Sequence, residues 1–105
     1  MSEIDIAQLN CRKNINTMNY LRLLGAKSKF FIQLGQEPNN SADKPTGLDP
    51  RHKVIAGQDN PRAFIYHHGR LDTWNCPQFT DRDLSSAIWV TQNENIPKIM
   101  LVYLR

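Results

Sequence analysis

The chain has 105 residues, of which 40% are hydrophobic and 22% charged, a composition that fits one ordinary globular unit and excludes a disordered or low-complexity segment. Thirteen Lys and Arg against ten Asp and Glu give a formal charge of +3. That balance suits a polyanionic partner, although the basic residues are spread along the chain and form no tail.

No apolar run approaches the length of a membrane span, and the start Met1 to Asn10 lacks the basic and apolar regions of a signal peptide. A cytoplasmic or nuclear location, without secretion or membrane insertion, is the expectation. Cys11 and Cys76 are far apart and have no Cys/His neighbours at zinc-ligand spacing, so both are read as free thiols.

In chain order, Ile4 to Asn10 reads as a strand with apolar groups at both parities, the pattern of a central strand. Asn14, Asn16 and Thr17 offer N-caps to a helix over 15–26, in which Ile15, Met18, Leu21 and Leu24 recur at three-residue steps and Gly25 supplies a stop. Phe30 to Leu34 is a second buried strand, broken by the Gly, Pro and Asn residues from Gly35 to Asn40. Residues 39–60 read as a long surface loop, with Val54 and Ile55 as a brief strand inside it. Ala63 to His67 alternates as a strand, Gly69 and Arg70 make a turn, and Leu71 to Trp74 continues as a hairpin arm. Ser86 to Thr91 and Lys98 to Leu104 are two further strands, joined by a hairpin through the polar Asn93 to Asn95 and Pro97. Phe64 and Trp89 fall within strand patterns and are read as core, Trp74 and Phe79 as exposed, and His67 and His68 as surface or turn histidines.

A strand, helix and strand in about 30 residues make a βαβ unit with parallel strands. Both strands then finish at one edge of the sheet, where open α/β sheets bind ligands, and the residues that finish them are Asn10 and Glu37. A carboxylate and an amide oxygen are hard ligands of the kind Mg²⁺ accepts while keeping several waters. The plainer alternatives stand beside this reading: Asn10 as a turn former and Glu37 as a solvated loop residue.

Gln8-Leu9-Asn10 after the first strand and Gln36-Glu37-Pro38-Asn39 after the second resemble the first two signature motifs of the endonuclease/exonuclease/phosphatase, or DNase I-like, superfamily. The Glu-Pro-Asn continuation is similar to non-LTR retrotransposon endonucleases. Arg62-Ala63-Phe64-Ile65-Tyr66 resembles a later strand of that family, Arg82-Asp83-Leu84 with Ser86 to Val90 its next core strand, and Val102-Tyr103-Leu104 the segment that carries its active-site tyrosine.

The resemblance implies an α/β (α+β) fold in which residues 1–105 form a single partial domain: a β-α-β unit followed by a β-meander, half of a DNase I-like two-sheet sandwich. It implies that Glu37 ligates Mg²⁺ or Mn²⁺, that Asn10 contacts the metal or the scissile phosphate, and that Tyr103 hydrogen-bonds the phosphate. Arg82, Arg62 and Arg12 are the basic residues assigned to DNA, with an ion pair to Asp81 or Asp83 as the alternative for Arg82. The family's Asp-x-Asn motif and terminal Asp-His pair, which orient and deprotonate the water, have no match before Arg105. The chain alone is therefore expected to lack a general base. One sheet face would also be left uncovered, so it is expected to self-associate or to belong to a longer polypeptide. A non-catalytic module that binds nucleic acid or protein is the alternative function.

Overall fold

A computed structural model describes residues 4–71 in full, together with the backbone of strands at 73–75, 84–90 and 97–103. The order is β1 (Asp5–Asn10), α1 (Ile15–Lys27), β2 (Phe31–Gln36), β3 (Asn40–Ser41), β4 (Lys44–Pro45), β5 (Lys53–Ala56), β6 (Ala63–His67), β7 (Thr73–Asn75), β8 (Leu84–Val90) and β9 (Pro97–Tyr103). Four strands form one sheet in the order β1-β2-β6-β5, and β7-β8-β9 form a second as an antiparallel meander. β1 and β2 are parallel, as the βαβ reading requires, whereas β6 is antiparallel to both β2 and β5. In the second sheet β8 lies against β5 and β6, and β9 against β2 and β6, which makes a half-sandwich of two packed sheets.

The helix begins where the sequence offers a cap: the Asn14 side chain accepts the Asn16 N–H at 2.8 Å. Its inward stripe is Met18, Leu21 and Gly25, and it runs through Lys27, one residue past the expected end, with Ser28 as its C-cap. Gly25 is a packing residue instead of a stop. A Cβ there would lie 3.0 Å from two ring carbons of Phe31, so the missing side chain admits the ring. One core forms on this helical face from Cys11, Met18, Leu21, Phe31, Phe64 and Tyr66, with Leu9 and Leu48 at its margin. Ile32, Ile55, Ala63 and Ile65 build the other on the opposite face of the sheet. Gln33 is a buried polar residue in the helical core, where its Nε2 donates to the Leu21 carbonyl at 2.9 Å.

Several expectations need correction. β1 is an edge strand of its sheet, not a central one, and Ile6 is 60% exposed. Its two apolar parities have different fates, because Leu9 packs under the helix while the second sheet lies against β2, β5 and β6. β2 runs through Gly35, and Phe64 fills the space a side chain there would need. The 39–60 stretch is more ordered than a surface loop: Ala42 and Asp43, both with positive φ, turn β3 into β4 by a two-residue connection. β6 and β7 belong to different sheets and form no hairpin. Pro97 opens β9 opposite Val90 instead of lying in the connection. His67 is fully buried and is no surface residue. Phe64 is core, as expected. The side chains of Trp74 and Trp89, and residues Cys76, Phe79 and Arg82, lie outside the described set.

Candidate active site

Parallel pairing of β1 with β2 aligns Asn10 with Gln36, so Asn10 and the next residue of the second strand, Glu37, leave the sheet at the same rim. Antiparallel pairing of β2 with β6 aligns Gln36 with Ala63, which brings Arg62 to that rim as well. Arg12 follows from the turn after β1. Four of the residues singled out from the sequence, Asn10, Arg12, Glu37 and Arg62, therefore share one end of the sheet.

Backbone hydrogen bonds fix this rim. The Glu37 N–H donates to the Arg62 carbonyl at 2.8 Å, the Glu37 carbonyl accepts the Lys13 N–H at 2.7 Å, and the Cys11 N–H donates to the Gln36 carbonyl at 2.8 Å. Held from both sides, Glu37 adopts φ 48°, in the left-handed region that a residue with a side chain enters at a cost of about 1 kcal/mol. Such strain persists where the surroundings over-determine it. Here they fix the backbone of a half-buried Glu37 just past the strand end.

Asn10 is itself exposed, and its Oδ1 accepts the Arg12 N–H at 2.9 Å. The turn-former reading of this residue is thus correct, and it does not exclude the other. That bond leaves Oδ1 a second lone pair and leaves the Nδ2 amino group as a donor. Arg12 and Lys13 both have positive φ, at 51° and 58°, and both are exposed beside the rim. Lys13 was not singled out from the sequence. The signal was the short step from Asn10 to Arg12, an Asx-type turn that throws the next two residues outward.

The donor set at the rim is one carboxylate and one amide, which fits a hard cation that retains most of its waters and does not fit an all-protein cage. Among the described residues no group of three or more His, Cys, Asp or Glu comes together that could hold a metal ion. Cys11 is fully buried, and burial pushes its thiol up to about 11, so it is no nucleophile at neutral pH. All three histidines gather at the other end of the sheet, since His67 pairs with Ile32 and Lys53, His52 precedes Lys53, and His68 follows His67. None is placed to act as a base for the Glu37 rim.

A recess of about 540 Å³ opens between the β3–β4 hairpin and the end of β5, with Asp43, Lys44 and Asp59 in its lining. Neither Asn10, Glu37 nor Arg62 contributes to it. Tyr103 ends β9 opposite Leu84, and its side chain is outside the described set, as is Arg82. Among the described residues, no helix is long and apolar enough to cross a membrane.

No family model and no curated protein matches this sequence. A solved structure does: the endonuclease domain of TRAS1, a telomere-specific non-LTR retrotransposon, superposes with a TM-score of 0.66 at 18% sequence identity. The match covers 91% of this chain and 42% of that one. At this identity the likeness is one of fold. This chain therefore shares the fold of that retrotransposon endonuclease domain over about two fifths of the domain's length.

Proposed function

We propose that the chain is the metal-side segment of a Mg²⁺-dependent phosphodiesterase that acts on DNA, and that a general base supplied from outside residues 1–105 completes it. The observation that carries this reading is the convergence of Asn10 and Glu37 at one rim, with Glu37 held in a left-handed conformation from both neighbouring strands. When bound, Mg²⁺ or Mn²⁺ supplies Lewis acidity toward a phosphoryl oxygen.

The protein's own groups do the rest. Glu37 offers a carboxylate oxygen to the cation, and Asn10 offers Nδ2 as a donor to a non-bridging phosphate oxygen. Arg12, Lys13 and Arg62 counter the charge of the flanking phosphates and set the register of the duplex without reading its sequence. Tyr103 and Arg82 join this assignment through their motifs, Tyr103 as a donor to the scissile phosphate and Arg82 as a backbone contact. The histidines sit at the opposite rim, so none of the three serves as the base for a phosphodiester held at Asn10 and Glu37.

Titration of duplex DNA with and without Mg²⁺ tests the proposal. Mg²⁺ is expected to tighten binding by roughly tenfold, a gain of about 1.4 kcal/mol, and Glu37→Ala to erase that gain while leaving metal-free binding unchanged. Any nicking should require Mg²⁺ and vanish in the same variant.

A second reading, a non-catalytic assembly or binding module, is favoured by one feature: the edge strand β1 with Ile6 60% exposed, a site for a second copy or for the remainder of a longer polypeptide. DNA binding that ignores Mg²⁺ and Glu37 alike would select it over the first.

A further inference from the structure

His52 and His68 stand opposite one another just past the last rung of the β5–β6 ladder, where Lys53 pairs with His67. Their rings lie 4.7 Å apart, tilted by 44°. Both use Nδ1 in the same way: His52 Nδ1 accepts the Gly69 N–H at 3.0 Å and His68 Nδ1 accepts the Arg70 N–H at 3.1 Å. An imidazole nitrogen accepts only when it carries no proton, so this pair of hydrogen bonds requires the tautomer with the proton on Nε2 in each ring. The same tautomer argues against a metal site here, because ligation through Nε2 would move the proton to Nδ1 and break both bonds.

We propose that His52 and His68 form a pH-sensitive clasp that holds the 46–52 segment against the 68–71 turn at neutral pH and opens when either ring is protonated. Protonation turns an acceptor into a donor facing an N–H, and a second proton would place two like charges 4.7 Å apart. The two segments touch closely, since a Cβ on Gly69 would fall 2.5 Å from the Arg51 carbonyl oxygen. The turn is also tied down by the His68 N–H to the Phe31 carbonyl at 3.0 Å and the Leu71 N–H to the His68 carbonyl at 3.1 Å.

The surrounding charges are mixed. The 46–52 segment brings the Asp49–Arg51 ion pair, β5 brings Lys53, β6 brings Tyr66 and the buried His67, the turn brings Arg70, and the start of β2 with the residue before it brings the rings of Phe31 and Phe30. Burial, reinforced by the nearby His52 and Arg70, holds His68 below the ordinary imidazole value.

Opening has a structural consequence. Leu48 packs against the helical core, and Gly47 sits against Ile15 and Met18, so release of this segment uncovers one end of that core. The clasp lies at the rim opposite Asn10 and Glu37, and it stands or falls independently of the nuclease reading.

Nitrogen-detected NMR of the whole chain tests the tautomers, and amide exchange from pH 7.5 to 5, corrected for intrinsic rates, tests the opening. The expected result is an unprotonated Nδ1 on both rings at pH 7.5. Protection of Gly69 and Arg70 should then fall about tenfold per pH unit below the imidazole pKa for each coupled proton, relative to Ile32 and Ile65. The variant His52→Asn/His68→Asn, whose Oδ1 accepts at any pH, should keep that protection at pH 5. A protonated Nδ1 on either ring at pH 7.5 would overturn the clasp. So would pH-independent protection in the wild-type chain, which needs no variant to fold, or an acid-induced loss that persists in the double variant.

Discussion

Gly35 is the point at which core packing and the rim meet. It lies two residues before Glu37, with the ring of Phe64 directly over its Cα: a Cβ added there would overlap Phe64 Cζ and Cε1 and approach Cδ1 to 2.8 Å. Phe64 is fully buried among Cys11, Met18, Leu21, Phe31 and Tyr66, so its ring has no free direction in which to retreat. Overpacking of this kind costs roughly 1–3 kcal/mol, against which Ala recovers about 0.4–1 kcal/mol by restricting the unfolded chain. Gly35→Ala should therefore lose about 1–2 kcal/mol, which for a domain of this size lowers Tm by roughly 5–15 °C. Urea denaturation followed by circular dichroism should show a lower midpoint at unchanged slope. The double variant Gly35→Ala/Phe64→Leu should lose less than the sum of its two single changes, because the residues share one space. A Gly35→Ala chain as stable as the parent, or strict additivity in the double variant, would refute this packing account.

Glu37→Gly should be more stable than Glu37→Ala by about 1 kcal/mol in the same denaturation assay, because glycine enters positive φ without strain, while both variants lose the Mg²⁺-dependent gain in DNA affinity. Peptide-resolved alkylation should leave Cys11 unmodified in the folded chain at pH 8 and label it after unfolding, since burial raises its thiol to about 11; fast native labelling would contradict that burial. Stability should decline as pH falls below about 6.5, the ordinary imidazole value. Burial holds His67 and His68 below that value in the fold, so the unfolded chain binds protons first and their contribution is present above it. Asp49, held well below the usual carboxylate range by its hydrogen bonds from Arg51, adds its loss only below about pH 4. A urea midpoint flat from pH 7.5 to 5 would contradict the histidine part.

The βαβ unit was legible because every local signal agreed: an Asn cap before Ile15, apolar steps at Met18 and Leu21, and apolar runs of strand length on either side. Parallel pairing followed from the crossover, and with it the placement of Asn10 and Glu37 at one rim of the sheet. The β3–β4 turn was missed because Ala42-Asp43 lacks the Asn-Gly signature that marks such turns, and positive φ at an alanine leaves no trace in sequence. Gly25 and Gly35 were read as breakers because a glycine that ends an element and one that makes room for a ring look alike until Phe31 and Phe64 are placed. The burial of His67 was invisible for a related reason: β6 is covered on both faces along its whole length, and its alternating pattern suggested one wet face. Nothing in the sequence announced that β1 would be an edge, since an apolar residue such as Ile6 marks a face to be covered without stating what covers it.

The claim that the Asn10–Glu37 rim holds a divalent cation is tested most directly by titrating the chain with Mn²⁺ and mapping paramagnetic broadening of its amide resonances. Broadening should centre on Asn10, Gln36 and Glu37, spread to Cys11 through Lys13, compete away with Mg²⁺, and disappear in Glu37→Ala. Broadening centred on the Asp43/Asp59 recess instead, or a pattern untouched by Glu37→Ala, would contradict it.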